Sequence, residues 1–93
     1  MTKKEFVTEV AEHSSIDAKD VDKVLESMIF VLKEALITEE KVRLSKLGIF
    51  STQVKPARVI KNQLTKEELE IPQKRVIKYK PSKYLRDQVD MKA

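Results

Sequence analysis

The chain has 93 residues, a formal net charge of +4 and no cysteine, so neither disulfides nor zinc–thiolate sites can stabilise it. A single domain of this size buries only roughly 60–65% of the surface exposed by its unfolded form, so we expect oligomerisation to add buried area. No apolar run approaches the roughly 20 residues needed to span a bilayer, and Met1 leads into no signal-peptide core, which predicts a soluble, intracellular protein.

Charge is distributed unevenly along the chain. Residues 1–40 contain five Lys and Arg against ten Asp and Glu, a formal charge of −5. Residues 41–93 contain fourteen against five, a formal charge of +9. This asymmetry indicates that the second half binds a polyanion, whereas the alternative is a basic surface that is merely solvated.

Two helices are predicted in the acidic half. Thr2 to Glu5 has the capping-box pattern, and apolar residues recur at helical spacing as far as His13. Asp17 is the expected N-cap of a second helix that extends to about Ile37. This helix is apolar on most sides, so it must be buried on most sides, and we expect a second copy of the chain to cover it.

Two helices joined by a short turn are also typical of a helix-turn-helix, whose second helix enters the major groove of DNA. The apolar face of the second helix is too broad to leave a surface for base contacts. Its acidic side chains also disfavour contact with DNA; they are Asp17, Asp20, Asp22, Glu26 and Glu34. We therefore predict that the acidic half is a dimerisation platform.

Two strands are predicted at the start of the basic half. Residues 41–45 alternate as a strand, and a turn leads into a second strand over residues 49–54. Gly48, the only glycine in the sequence, lies in this turn. We expect it to have a positive φ or to allow close backbone approach.

The segment from Gln53 to Pro72 is predicted to be a β-hairpin with a polar tip near residues 62–66. Its apolar residues are scattered among charges, which favours a projecting arm over a packed element. Pro56 within this segment indicates an exposed edge or a bulge. A third strand over residues 75–80 and a helix over residues 83–91 complete an α+β chain of order ααβββα.

Three stretches of the basic half carry a resemblance to a known family. Residues 41–50, KVRLSKLGIF, resemble the family's DKVQLVGFGTF strand and turn. Residues 57–72, ARVIKNQLTKEELEIP, resemble its ARKGRNPQTGEEIEIP arm, and residues 79–85, YKPSKYL, resemble its FKPGKALK segment. In this order and at these separations, they resemble the HU and integration-host-factor family of bacterial DNA-bending proteins.

The resemblance implies an intertwined homodimer with a helical base, a β-saddle and two arms that enter the minor groove of double-stranded DNA. It implies one HU-like domain over residues 1–93, divided into a helical platform (1–40), a β-saddle (41–80) that includes the arm (53–72), and a C-terminal helix (81–93). The residues expected to contact DNA are Lys46, Lys55, Arg58, Lys61, Asn62, Gln63, Leu64, Lys66, Arg75, Lys78, Lys80, Lys83 and Arg86. Counterion release at these cations implies an affinity that falls steeply with salt.

The arm tip departs from the family pattern. Residues 61–63 are Lys-Asn-Gln where Arg-Asn-Pro is usual, so the proline that wedges between base pairs is absent. Gln63 or Leu64 is the candidate to replace it, although neither is preorganised as a proline is. Lys66 and Lys46 stand where glycines are common. We expect DNA binding to persist, with a kink that is less firmly fixed.

The expected function is architectural binding of double-stranded DNA with little sequence preference, which bends or compacts DNA in a bacterial nucleoid or a phage genome. Two alternatives stay open. One is a sequence-selective relative of the integration-host-factor type, which senses groove width and deformability. The other is a structural module whose hairpin pairs with a partner protein.

No catalytic constellation is predicted, because the sequence contains no cysteine, a single histidine and no glycine-rich phosphate loop. We therefore expect a non-enzymatic protein with no cofactor, no metal, no membrane contact and no small-molecule substrate. Glu67, Glu68 and Glu70 could mimic a metal cluster, but an exposed polar face of the arm is the better interpretation. His13 is expected to interact favourably with the end of the first helix.

Overall fold

The computed structural model describes residues 1–92, with the side chains of residues 1–91. Three helices and five strands are present in this part of the chain. They are α1 (Lys3–Ser14), α2 (Ala18–Ile37), β1 (Val42–Leu44), β2 (Gly48–Lys55), β3 (Arg58–Lys61), β4 (Glu68–Ile71), β5 (Lys74–Pro81) and α3 (Lys83–Lys92). Two compact units are found, one over residues 1–34 and one from residue 35 onward. The predicted C-terminal segment ends at Ala93, which lies outside the described residues.

Helix α1 has a capping residue at each end, Thr2 before it and Ser15 after it. The Thr2 hydroxyl accepts a hydrogen bond from the backbone N–H of Glu5 at 3.2 Å, which satisfies one of the free donors of the first turn and confirms Thr2 as the N-cap. Ser15 ends the helix in the left-handed conformation, with a φ of 61°. Lys3 forms ion pairs with Asp22 and Glu26, and hydrogen bonding to Glu26 raises the pKa of Lys3 above its ordinary value.

Helix α2 presents an uncovered apolar surface within the single chain. Asp17 precedes the helix, and its carbonyl oxygen accepts from the N–H of Val21 at 3.0 Å. The apolar side chains along α2 that remain more than half exposed are Val24, Met28, Ile29, Phe30, Val31 and Ile37. Six exposed apolar side chains on one helix are unfavourable in water.

Among the described residues, none of the helices has the length and apolar character needed to span a bilayer.

The strands form two separate antiparallel sheets. The first has the order β1-β2-β5, and the second contains only β3 and β4. Strand β2 pairs with β5 from Gly48 opposite Pro81 to Lys55 opposite Lys74. The three-stranded sheet therefore includes residues 53–55, which the sequence pattern placed in the hairpin.

A break of two residues on each strand separates the two sheets. Pro56 and Ala57 interrupt one strand, and Pro72 and Gln73 interrupt the other. Proline has no N–H to donate to a ladder, so a proline on both sides disfavours continuous pairing here. We expected an exposed edge or a bulge at Pro56, but the strand pairing stops there completely. Beyond this break, β3 and β4 form the arm.

Gly48 occupies a position where any side chain would be strained. Its φ is 145°, a conformation that side chains with a Cβ rarely adopt. A Cβ added at this position would lie 2.3 Å from the carbonyl oxygen of Lys80 and 2.9 Å from the Tyr79 ring. Both parts of the expectation for Gly48, a positive φ and close backbone approach, are confirmed.

The substitution Gly48→Ala is expected to lower the free energy of unfolding by about 2 kcal/mol or more, because it combines backbone strain with a steric clash. Urea unfolding at a fixed protein concentration measures this change. Ser45→Ala, in the same turn, is the control and should change stability by less than about 0.5 kcal/mol. Equal losses for the two variants would contradict this account of Gly48.

Candidate nucleic-acid interface

The register of the three-stranded sheet sorts its side chains onto two faces. Side chains alternate between faces along a strand, and residues directly opposite on neighbouring strands share a face. Arg43 is opposite Ile49, which is opposite Lys80, so this row lies on one face. Val42, opposite Phe50, lies on the other face.

One face of this sheet is cationic, and we call it the basic sheet face. Its charged members among β1, β2 and β5 are all cations, namely Arg43, Lys55, Lys74, Lys78 and Lys80. Ser51 and Gln53 are the polar neutral residues between them. A surface with one sign of charge attracts polyanions and raises their local concentration.

The opposite face is mostly apolar and contains an aromatic pair. The rings of Phe50 and Tyr79 stack with centroids 4.9 Å apart at an angle of 29°. The Tyr79 hydroxyl donates to the carbonyl oxygen of Leu47 at 2.8 Å, which satisfies the polar end of the ring. This packing aligns β2 and β5 and thereby fixes the positions of the cations on the basic sheet face.

Arg75 is separated from the other sheet cations. Its place opposite Val54 puts it on the face of Phe50 and Tyr79. Its guanidinium Nη1 lies 3.3 Å from Oε1 of Glu39, in an exposed ion pair. The sequence grouped Arg75 with Lys78 as phosphate contacts, whereas the structure places these two residues on opposite faces of the sheet.

A shallow cavity of about 310 Å³ lies between the β1–β2 turn and the start of α3. Cations surround it, and two of them, Arg43 and Lys80, also belong to the basic sheet face. The cations that line it are Arg43, Lys46, Lys80, Lys83 and Arg86. Ser82 holds this corner together, because its hydroxyl donates to the carbonyl of Lys46 at 2.6 Å and accepts from the N–H of Leu85 at 3.1 Å. The structure thus brings four predicted contact residues together.

The arm also has two different faces. Arg58 opposite Ile71 and Ile60 opposite Leu69 form an apolar face with one cation. On the other face Lys61 lies opposite Glu68 and Val59 opposite Glu70. Lys61 thus has an acidic residue directly opposite it, whereas Arg58 has the apolar Ile71.

The arm tip is built on an asparagine turn. Oδ1 of Asn62 accepts from the N–H groups of Leu64 at 2.9 Å and Thr65 at 3.4 Å. The N–H of Asn62 in turn donates to the carbonyl of Glu67 at 2.9 Å. This closes the loop with Leu64 at its outer end, where the leucine side chain is 95% exposed. The tip is therefore ordered by Asn62 and presents an apolar side chain.

The two lysines that replace family glycines both have positive φ. The φ of Lys46 is 69° in the β1–β2 turn, and the φ of Lys66 is 59° at the arm tip. The left-handed region costs a residue with a Cβ roughly 1–2 kcal/mol. At both positions the backbone has the conformation that favours glycine, but the residue is a lysine, which adds a positive charge.

Two cations of this surface are not among the residues predicted from the sequence. Arg43 lines the cavity beside α3, and Lys74 ends β5 on the basic sheet face. Every second residue of β5, counted back from Lys80, lies on the same face, so Lys74 could be assigned to this face once the strand is known to begin there. Arg43 requires the pairing of β1 with β2, which the sequence does not supply.

In the described part of the chain, no group of three or more His, Asp or Glu side chains is arranged to hold a metal ion. Glu68 and Glu70 lie on the exposed face of the arm, opposite Lys61 and Val59. The register therefore gives Glu68 a cation as its cross-strand neighbour and Glu70 an apolar residue.

An α+β chain with a basic sheet face and a projecting two-stranded arm defines a class of architectural nucleic-acid-binding proteins. A family model described as bacterial DNA-binding protein matches residues 1–90. The chain is 37% identical to DNA-binding protein HU 1 of Bacillus subtilis over 89 residues, covering 96% of this chain and 97% of the relative. It is 32% identical to integration host factor subunit beta of Herminiimonas arsenicoxydans over 91 residues, covering 97% and 90% of the two chains.

A solved structure of a family member has a similar fold. The fold is similar to that of Anabaena HU in a cocrystal structure with DNA, with a TM-score of 0.85 and 36% sequence identity. The similarity covers 96% of this chain and 97% of the Anabaena chain. The chain belongs to the bacterial DNA-binding protein family, as the resemblance in its sequence indicated.

The substitution Lys46→Gly is expected to give a more stable protein than Lys46→Gln. Both variants lose the same charge and the contact of the Lys46 ammonium with the Tyr84 ring, 5.3 Å from its centroid. Only glycine relieves the left-handed strain, so its free energy of unfolding should be higher by roughly 1 kcal/mol. Urea unfolding of the two variants measures the difference, and equal stabilities would show that Lys46 is unstrained.

Proposed function

We propose that the protein is a non-enzymatic architectural protein that binds double-stranded DNA through the minor groove with little sequence preference. The observation that carries this proposal is the basic sheet face, where all the charged side chains of three paired strands are cations. The cocrystal of the similar Anabaena HU with DNA supports it. Its place in the cell would be the bacterial nucleoid.

The proposed contacts divide into two sets with different roles. The arm would enter the groove through Arg58, with Lys55, Lys61 and Lys66 adding charge along its length. The cations beside α3 would hold the DNA that flanks the arm, by neutralising phosphates and releasing counterions. Arg75 must first leave Glu39 to take part, so we assign it the smallest contribution.

Leu64 is the proposed wedge between base pairs. Its side chain is almost fully exposed at the outer end of the arm, held there by the hydrogen bond from its N–H to Asn62. Exposed apolar area of this kind is unfavourable in the free protein, and an unstacked base step would bury it. The neighbouring Gln63 offers hydrogen-bonding groups but less apolar area.

Dimerisation is part of the same proposal. The apolar surface of α2, which is uncovered in the single chain, would pack against the second copy, with residues 1–40 as the dimer platform. Burial of apolar area contributes roughly 25 cal/mol per Å², so covering several side chains the size of Phe30 and Val31 would stabilise a small domain substantially. The dimer would place one arm on each side of the DNA.

DNA binding and bending are tested by energy transfer between dyes at the two ends of a duplex of about 35 base pairs, titrated with protein at two salt concentrations. The expected result is saturable binding that weakens at least tenfold as salt rises from about 50 to 200 mM, with a shorter end-to-end distance. Leu64→Ala should retain binding while reducing the shortening, because the apolar wedge is lost. Gln63→Ala is the matched control.

Each outcome of this titration has a distinct meaning. Binding without shortening would contradict bending and leave a protein that coats DNA. Strong discrimination among A·T-rich, G·C-rich and nicked competitor duplexes would favour the sequence-selective alternative. Absence of binding at low salt would overturn the proposal and favour a protein partner for the hairpin.

The substitution Val31→Lys is expected to dissociate the dimer, because it places a charge on an apolar surface that the partner would bury. Sedimentation equilibrium measures the association state, and circular dichroism reports whether the remaining chain is folded. Glu34→Gln changes the net charge by the same amount on the same helix and should remain dimeric. A Val31→Lys protein that stays dimeric at micromolar concentration would contradict this interface.

A further inference from the structure

The last pair of the β2–β5 ladder brings two lysines together. Lys55 and Lys74 lie directly opposite each other, and both side chains are exposed on the basic sheet face. Directly opposite residues in an antiparallel pair have Cβ atoms roughly 4.5–5.5 Å apart. Both ammonium groups can therefore reach one small region at the point where the arm leaves the sheet.

The surroundings of this pair do not compensate its charge. The next pairs along the ladder are Gln53 with Val76, on the same face, and Val54 with Arg75, on the opposite face. Beyond the pair lie Pro56 and Gln73, at which the ladder is interrupted. Among the described residues, the ion pairs all involve other cations: Lys3, Lys33 and Arg75.

Like charges directly opposite each other destabilise a sheet. This rule predicts repulsion between Lys55 and Lys74 at the end of the β2–β5 ladder. Lys78, by comparison, lies opposite the neutral Ser51. An anion placed between the two ammonium groups would turn this repulsion into two charge-assisted hydrogen bonds. The arrangement is thus unfavourable alone and favourable with a bound anion.

We propose that Lys55 and Lys74 together bind one phosphate of the DNA backbone at the root of the arm. This inference rests on the proposed function, because the anion is a phosphodiester of the DNA whose groove the arm enters. Each ammonium offers three donors on a flexible stem, so both can reach the same phosphate. Lys74 thereby becomes a contact residue, and Lys55 acts as half of a pair.

The proposal makes stability and DNA binding change in opposite directions. In Lys74→Gln the repulsion is gone, so the free protein should melt roughly 2–5 °C higher than the unmodified protein at low salt. This gain should shrink in high salt, where the charges are screened. Lys78→Gln removes the same charge from the same face without an opposing cation, and its melting temperature should not rise.

Binding to a 35-base-pair duplex supplies the second readout. Lys74→Gln should weaken binding by about tenfold. Lys55→Gln made in that background should cost much less than it does in the unmodified protein, because the two lysines hold one phosphate. Lys55→Gln and Lys78→Gln should combine additively, since they contact different phosphates.

The results separate the two proposals. If the unmodified protein binds DNA but the Lys55 and Lys74 substitutions combine additively, the shared phosphate is refuted while the proposed function stands. A melting temperature for Lys74→Gln no higher than that of Lys78→Gln would also overturn the inference, because it would show no repulsion to relieve. If the unmodified protein does not bind the duplex, both proposals fail together.

Discussion

The antiparallel pairing of β2 with β5 is the constraint on which the rest of the proposed DNA-binding surface depends. Its eight residue pairs fix which side chains share a face. The Phe50–Tyr79 stack and the close approach allowed by Gly48 hold this register. Because side chains alternate with a period of two, a slip of one strand by one residue would move its cations to the face of Phe50 and Tyr79. The packing of Phe50 and Tyr79 on one face therefore determines which charged side chains lie on the other face.

Electrostatic potential and strain are concentrated at the same places in this protein. Lys46 and Lys66 adopt the left-handed conformation, and Lys55 and Lys74 face each other across the ladder. The left-handed backbone is unfavourable for lysine, and our proposal makes the lysine pair repulsive in the free protein. Both features add positive charge near the surface proposed to meet DNA. Functional surfaces commonly retain such costs when a ligand relieves them. Here the ligand is a polyanion, which can compensate several cations at once.

The order of elements and the arm could be predicted from the sequence because they depend on local signals. Thr2 and Asp17 precede the two N-terminal helices, and Asn62 forms the turn at the arm tip. The limits of the arm could not be predicted, since the apolar pattern changes little between residues 53 and 60. The break follows from prolines on both strands. Continuing the register places Pro56 opposite Gln73 and Pro72 opposite Ala57, which is known only once the strands are paired.

The sequence by itself determined the helices, the turn that requires Gly48, the separation of acidic and basic halves, and the family. These properties arise from residue type and short-range spacing. Only the tertiary structure decided which cations share a face: it placed Arg43 in one row with Lys80, on either side of Ile49, and separated Arg75 from Lys78. The physical reason is that a face of a sheet is defined by register across strands that are distant in sequence, and register depends on packing and turn geometry.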